Sequence, residues 1–137
     1  GSGAVMGRKL LGDYFKEVMP PGLRDDFTEK YNLTRDEALN RVYRSEKPNQ
    51  FLARFTPFLS EHAGSVYCQE FVQLNFMEFF DRNVSHIPDY RNYPIGFVGS
   101  VAFYFSQILN HTASYFGFDQ TIIIKDPIEG LEKYYNN

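Results

Sequence analysis

The chain has 137 residues, 43% of them hydrophobic and 18% aromatic, and a formal charge of -3. That is enough apolar material for a real core, which excludes disorder, and the acidic balance lacks the clustered Lys and Arg of a DNA- or RNA-binding face. One cysteine, Cys68, excludes an intrachain disulfide and a thiolate-rich metal site made by one chain.

No apolar run approaches the roughly 20 residues of a membrane helix, and nothing at the start reads as a signal peptide. The expectation is a soluble, cytoplasmic protein with neither nucleic acid nor membrane as partner.

The first two thirds, 1–92, read as mainly helical. Val5 to Val18 alternates apolar and charged positions at helical spacing, and Met19-Pro20-Pro21-Gly22 stops it. Thr34-Arg35-Asp36-Glu37 is a capping box: hydroxyl and carboxylate each satisfy an orphan N–H at the start of a helix reaching about Tyr43. Asn49 to about Leu59 is the next helix, kinked or ended by Pro57, which lacks the N–H the ladder needs. From Ser65 to Val84, Cys68, Val72, Phe76, Phe79 and Phe80 form an apolar stripe that Phe71 and Leu74 widen. That helix should be buried on more than one side, with Cys68 in the core.

After Asp89 the pattern changes. Ile95 to Val98 is a short apolar run. Val101, Phe105, Ile108, Leu109, Thr112 and Phe116 then mark one face of a helix that Gly117 closes. Thr121 to Lys125 reads as a second buried strand. Strand, helix and strand make a βαβ unit, so the strands should be parallel. Asp126-Pro127-Ile128-Glu129 carries the cap, the first-turn proline and the closing carboxylate of a last helix. The fold class is therefore α/β and helix-rich: one domain fragment over 1–137, a helical segment followed by a βαβα unit over 93–137.

Two parallel strands leave outer N–H and C=O groups without partners. The chain should pair along its sheet edge, as a homodimer, or cover that edge with its own helices.

Chemistry-bearing motifs are sparse. His62, His86 and His111 lie far apart and match no metal spacing, and there is no nucleophile elbow, P-loop lysine or Walker motif. The sequence therefore indicates no catalytic residue and no metal site. Asn32, Asn83 and Asn110 each open a glycosylation sequon, but the Ser and Thr in them also serve caps and helix faces. What remains is Gly96-Phe97-Val98-Gly99-Ser100, a strand running through a Gly-Ser turn into a helix. Glycines let a ligand approach the backbone, and a helix beginning there aims free N–H groups and the positive end of its dipole at a phosphate or ribose oxygen. The same turn also serves as plain connection chemistry.

Several segments, in order, carry a resemblance. They are Gly1-Ser2-Gly3-Ala4 leading into Leu10-Leu11-Gly12-Asp13-Tyr14-Phe15, then Tyr31-Asn32-Leu33-Thr34, then Pro48-Asn49-Gln50-Phe51-Leu52-Ala53 with Phe58-Leu59-Ser60-Glu61-His62. Gly96-Phe97-Val98-Gly99-Ser100-Val101-Ala102 and Pro127-Ile128-Glu129-Gly130-Leu131 complete the set. Together they resemble the C-terminal part of the BadF/BadG/BcrA/BcrD-type ATPase and N-acetylglucosamine kinase-like family, within the sugar kinase, Hsp70 and actin superfamily.

The resemblance implies the C-terminal portion of a ribonuclease H-like, actin-like ATPase domain, whose further strands precede this segment. It implies a two-lobed protein that clamps ATP with Mg2+ and transfers the γ-phosphoryl group to an amino sugar such as N-acetylglucosamine. Gly96, Gly99 and Ser100 would then face adenosine or phosphate, and Gly1, Ser2 and Gly3 would border the sugar and phosphate end as the tail of a loop. Gly1-Ser2 reads equally as a remnant of tag removal. The family's phosphate loop and proton-accepting aspartate belong to the other lobe, so an excised C-terminal piece should not catalyse alone. The family often has two adjacent glycines at the adenosine turn, where Phe97-Val98-Gly99 has one. Two alternatives stand beside this reading. One is the family's second branch, ATPases that activate acyl-CoA dehydratase or benzoyl-CoA reductase systems through a cysteine-held iron–sulfur cluster. The other is a non-enzymatic helical interaction module.

Overall fold

A 14-residue stretch without proline, Ser2–Phe15, forms helix α1, which turns Ala4, Met6, Leu10, Leu11 and Tyr14 inward. It starts about three residues before Val5, and it ends about three residues before Val18 because Glu17 already takes a left-handed φ of 60°. A computed structural model describes residues 2–126, and the helix expected after the Asp126 cap lies outside the described residues. The chain divides into two units, Gly1–Phe58 and Leu59–Asn137.

In the first unit, the Pro20-Pro21 pair that stops α1 also starts the next helix. Pro21 is the first residue of α2 (Pro21–Tyr31), where its missing N–H costs nothing. Asn32 closes α2 in the left-handed region, its N–H bonded to the Thr28 carbonyl at 2.8 Å. α3 (Arg35–Arg44) opens on the full capping box: the Glu37 N–H donates to the Thr34 hydroxyl and the Thr34 N–H to the Glu37 carboxylate.

The expected single helix from Asn49 is two, α4 (Pro48–Ala53) and α5 (Thr56–Glu61). The break falls at Arg54 and Phe55, whose N–H groups reach back only three residues, to Phe51 and Leu52. Pro57 therefore stands in the first turn of α5 instead of ending a helix, a place that needs no N–H. At the centre of this unit sits Phe27, fully buried, its ring 4.4 Å from Tyr14, 4.6 Å from Tyr31 and 5.2 Å from Phe58. Such aromatic clusters add directional contacts to the area they bury.

In the second unit, Ser65 caps α6 (Val66–Phe79) by accepting from the Cys68 N–H, and the helix ends in a π turn, Phe80–Val84. Cys68, Val72, Phe76 and Phe80 are buried as their spacing predicts, and so is Phe71. Leu74 is not: it is 63% exposed, so the buried side is narrower than the apolar pattern implied. Asn75 sits inside at no polar cost, because its amide donates to the Phe71 carbonyl at 2.7 Å.

A 3-10 turn, Tyr90–Asn92, leads to β1 (Ile95–Val98), which pairs in parallel with β2 (Thr121–Ile124), Ile95 opposite Thr121. The helix between them is interrupted. α7 (Ser100–Tyr104) and α8 (Ser106–Tyr115) meet at Phe105, whose φ of -112° leaves the helical region. Hydrogen bonds from Phe105 to Val101 and from Leu109 to Phe105 carry the ladder through, so Ala102, Phe105, Leu109 and Ala113 stay buried.

Gly117, at a φ of 95°, closes α8 as its position predicts: its N–H bonds to Ser114 and that of Phe118 to Ala113. Phe97 points inward, its ring 5.7 Å from Phe79 and 5.8 Å from Phe80. The alternate positions, Val98 and Ile122, are 56% and 57% exposed. The strands expected to be buried are thus covered on one face only.

Candidate functional site

The site builds on the carboxyl ends of the two parallel strands, the edge where open α/β sheets hold ligands. β1 ends at Val98, and Gly99 follows with φ 124° and ψ 167°, a conformation that essentially only glycine adopts. Its N–H continues the sheet by donating to the Ile124 carbonyl at 2.8 Å, and its own carbonyl accepts from Phe103 at 3.2 Å. Nothing lies within 4 Å of the point a Cβ would occupy. Gly99 is therefore required by its backbone, and the space beside it is open.

Ser100 is the first residue of α7, half-buried, with its hydroxyl 3.5 Å from that of Ser60, which donates to it. Gly96 differs in kind. It lies on the exposed face of β1, and a Cβ there would make only ordinary contact, 3.7 Å from the Ile122 carbonyl oxygen. Of the sequence-derived residues, the structure joins Gly99 and Ser100 in one turn and sets Gly96 on the adjoining strand surface.

Ser2 and Gly3 stand in the first turn of α1, where the sequence reading has a loop; Gly1 lies outside the described residues. Residues with small or apolar side chains and no nearby proline simply continue the helix to its start. The Gly3 Cβ position is 3.6 Å from that of Ala53, an ordinary packing distance.

Three residues at the strand ends went unread in the sequence. The Lys125 ammonium lies 5.3 Å from the Phe103 ring centroid and 5.0 Å from that of Tyr104. Phe103 and Tyr104 are 44% and 49% exposed, one helical turn beyond Gly99. The periodicity of the helix marks both as outward-facing, and only strand pairing brings Lys125 to them. The combination offers an open backbone turn, a hydroxyl, a cation and exposed aromatic surface within one end of the sheet, the polar and flat groups a nucleotide can use.

Among the described residues no three His, Cys, Asp or Glu side chains come together to hold a metal ion, and no helix is long and apolar enough to cross a membrane.

No family model matches the chain, and no curated protein matches it. Among solved structures, it is similar to the crystal structure of the "Putative N-acetylglucosamine Kinase" from Porphyromonas gingivalis, with 37% sequence identity and a TM-score of 0.81. The match covers 98% of this chain and 48% of that one, so the chain spans about half the length of the relative. Over that half it has the relative's fold: a helix-rich α/β arrangement of the actin-like ATPase kind with two parallel strands.

Proposed function

We propose, for a chain that matches half of an N-acetylglucosamine kinase-like protein along nearly its full length, that it is the C-terminal, adenosine-side portion of an ATP-dependent amino-sugar kinase. The observation that carries the reading is the 37% identity sustained over 98% of the chain.

Within that reading Gly99 lets the nucleotide come against bare backbone, and Ser100 presents a hydroxyl and the first free N–H groups of α7. Lys125 supplies positive charge, and Phe103 and Tyr104 supply flat apolar surface for the base. Gly96 keeps the adjoining strand surface free of a side chain. By the same resemblance Gly1, Ser2 and Gly3 would border the sugar and phosphate end of the complete protein. Bound ATP with Mg2+ provides the transferable γ-phosphoryl group and neutralises its charge. Phosphoryl transfer depends on positioning more than on covalent chemistry by the protein. By resemblance, the proton-accepting aspartate and the first phosphate loop would lie in the half of the relative that this chain does not match.

The half-covered sheet agrees with this assignment. Val98 and Ile122 stay exposed on one face, and the two-stranded sheet has free outer edges among the described residues, where the further strands of the complete domain would add. A homodimer along that edge is the competing arrangement. The protein is assigned to the cytoplasm, where ATP is available.

The test is phosphoryl transfer by the complete protein. With Mg-ATP it should phosphorylate N-acetylglucosamine or a close amino sugar, with ADP release strictly dependent on the sugar. ATP turnover indifferent to every amino sugar tried would reject the kinase reading.

A further inference from the structure

The first unit holds a cavity apart from the turn after β1. α1 and α3 face each other across it, and Leu52 of α4 closes part of its wall. Its volume is about 250 Å3, slightly below the range of drug-sized ligand sites.

Two features of its lining point to one ligand chemistry. The apolar wall comes from Leu11, Phe15 and Val42, among others. Among the described residues, the charged groups in the lining are Arg8, Lys16 and Arg35, with no carboxylate beside them. That is unexpected in a chain whose net charge is -3. Arg8 lies on α1 and Lys16 directly follows its last residue, so the two cations stand at the two ends of the α1 wall. Arg35 is the first residue of α3 and supplies the cation of that wall, with Asp36 and Glu37 following it in the same turn but not lining the cavity. Between Arg8 and Lys16 lies Gly12, also in the lining, with nothing within 4 Å of where its Cβ would be. The wall is bare backbone at the point midway between the two cations.

We propose that this cavity binds a small amphipathic anion, a single carboxylate or phosphate group on an aromatic or short branched aliphatic body. The apolar wall takes the body, and Arg35 with Arg8 and Lys16 takes the charge. The site lies wholly within the first unit and uses none of the residues assigned to the nucleotide, so the proposal stands independently of the kinase reading.

The experiment is an amide NMR titration of the full chain with phenylacetate and with phenyl phosphate, using benzyl alcohol and benzylamine as neutral and cationic controls. A saturable shift at the Gly12 amide with at least one anion, about tenfold weaker for both controls, is the expected result. The better of the two anions identifies the head group. Arg35→Gln should weaken the anion about tenfold with an unchanged melting temperature, and Gly12→Val should abolish the accompanying shifts at the Leu11 and Phe15 amides while the far-ultraviolet dichroism stays native. Equal response to benzyl alcohol overturns the charge assignment. The absence of any saturable shift, as when another segment of the polypeptide fills the cavity, overturns the proposal.

Discussion

Gly7 of α1 passes so close to Leu52 of α4 that a Cβ on Gly7 would overlap the Leu52 carbonyl oxygen. The two helices make their contact through backbone, and no flexible side chain stands between them to yield. Gly12, five residues further along the same helix, has nothing within 4 Å of its Cβ position. Two glycines in one helix thus have opposite meanings.

Gly7→Ala should destabilise the chain by about 2 to 3 kcal/mol, the usual cost of overpacking a closed contact. Gly12→Ala should be neutral or stabilise by up to about 1 kcal/mol, since alanine is the better helix residue. Urea denaturation of both variants separates them. Equal behaviour would contradict a backbone-to-backbone contact between α1 and α4 at Gly7.

A parallel contrast holds in the second unit. Gly99→Ala should cost about 1 to 3 kcal/mol, because a φ of 124° is strained for any residue with a Cβ. Gly96→Ala should change stability by no more than about 0.5 kcal/mol, since its surroundings accept a methyl group at ordinary distance. Thermal melts of the two variants check this.

Cys68 is buried, and that burial raises its thiol pKa above the ordinary 9.0, with the Ser65 hydrogen bond acting in the lowering direction. A thiol that keeps its proton longer when folded means the native state binds more protons than the unfolded state. Its contribution is fully present below the ordinary thiol pKa and is lost as pH rises through the folded value. The denaturation midpoint should therefore fall more between pH 7 and about pH 10 for the parent chain than for Cys68→Ala. Iodoacetamide should label Cys68 slowly in the native state and rapidly in urea.

Thr34→Ala removes the acceptor for the Glu37 N–H and should cost about 1 kcal/mol. The loss should appear as faster amide hydrogen exchange in the first turn of α3, and unchanged exchange there would contradict the capping assignment.

What the sequence made legible was local chemistry. The Thr34 box, the Ser65 to Phe80 stripe and the Gly117 stop follow from neighbours within a few residues, and the parallel strands from the order strand, helix, strand. The break at Arg54 and Phe55, the interruption at Phe105 and the exposure of Leu74 depend on which surfaces the finished packing covers, and no periodicity records that. The turn at Gly99 was readable because a strand, a glycine and a helix start are contiguous. Lys125 was not, because it reaches Phe103 and Tyr104 only through strand pairing. The resemblance implied the tail of a loop at Ser2 and Gly3, whereas both stand in the first turn of α1.

The most direct test of the nucleotide assignment is calorimetric titration of the complete protein with Mg-ADP, comparing the parent with Gly99→Val while circular dichroism monitors the fold. Saturable binding that weakens at least about tenfold in the variant, with helical content retained, is the result expected if the turn after β1 holds the nucleotide. Unchanged affinity in a folded variant, or no binding by the parent protein, would contradict it.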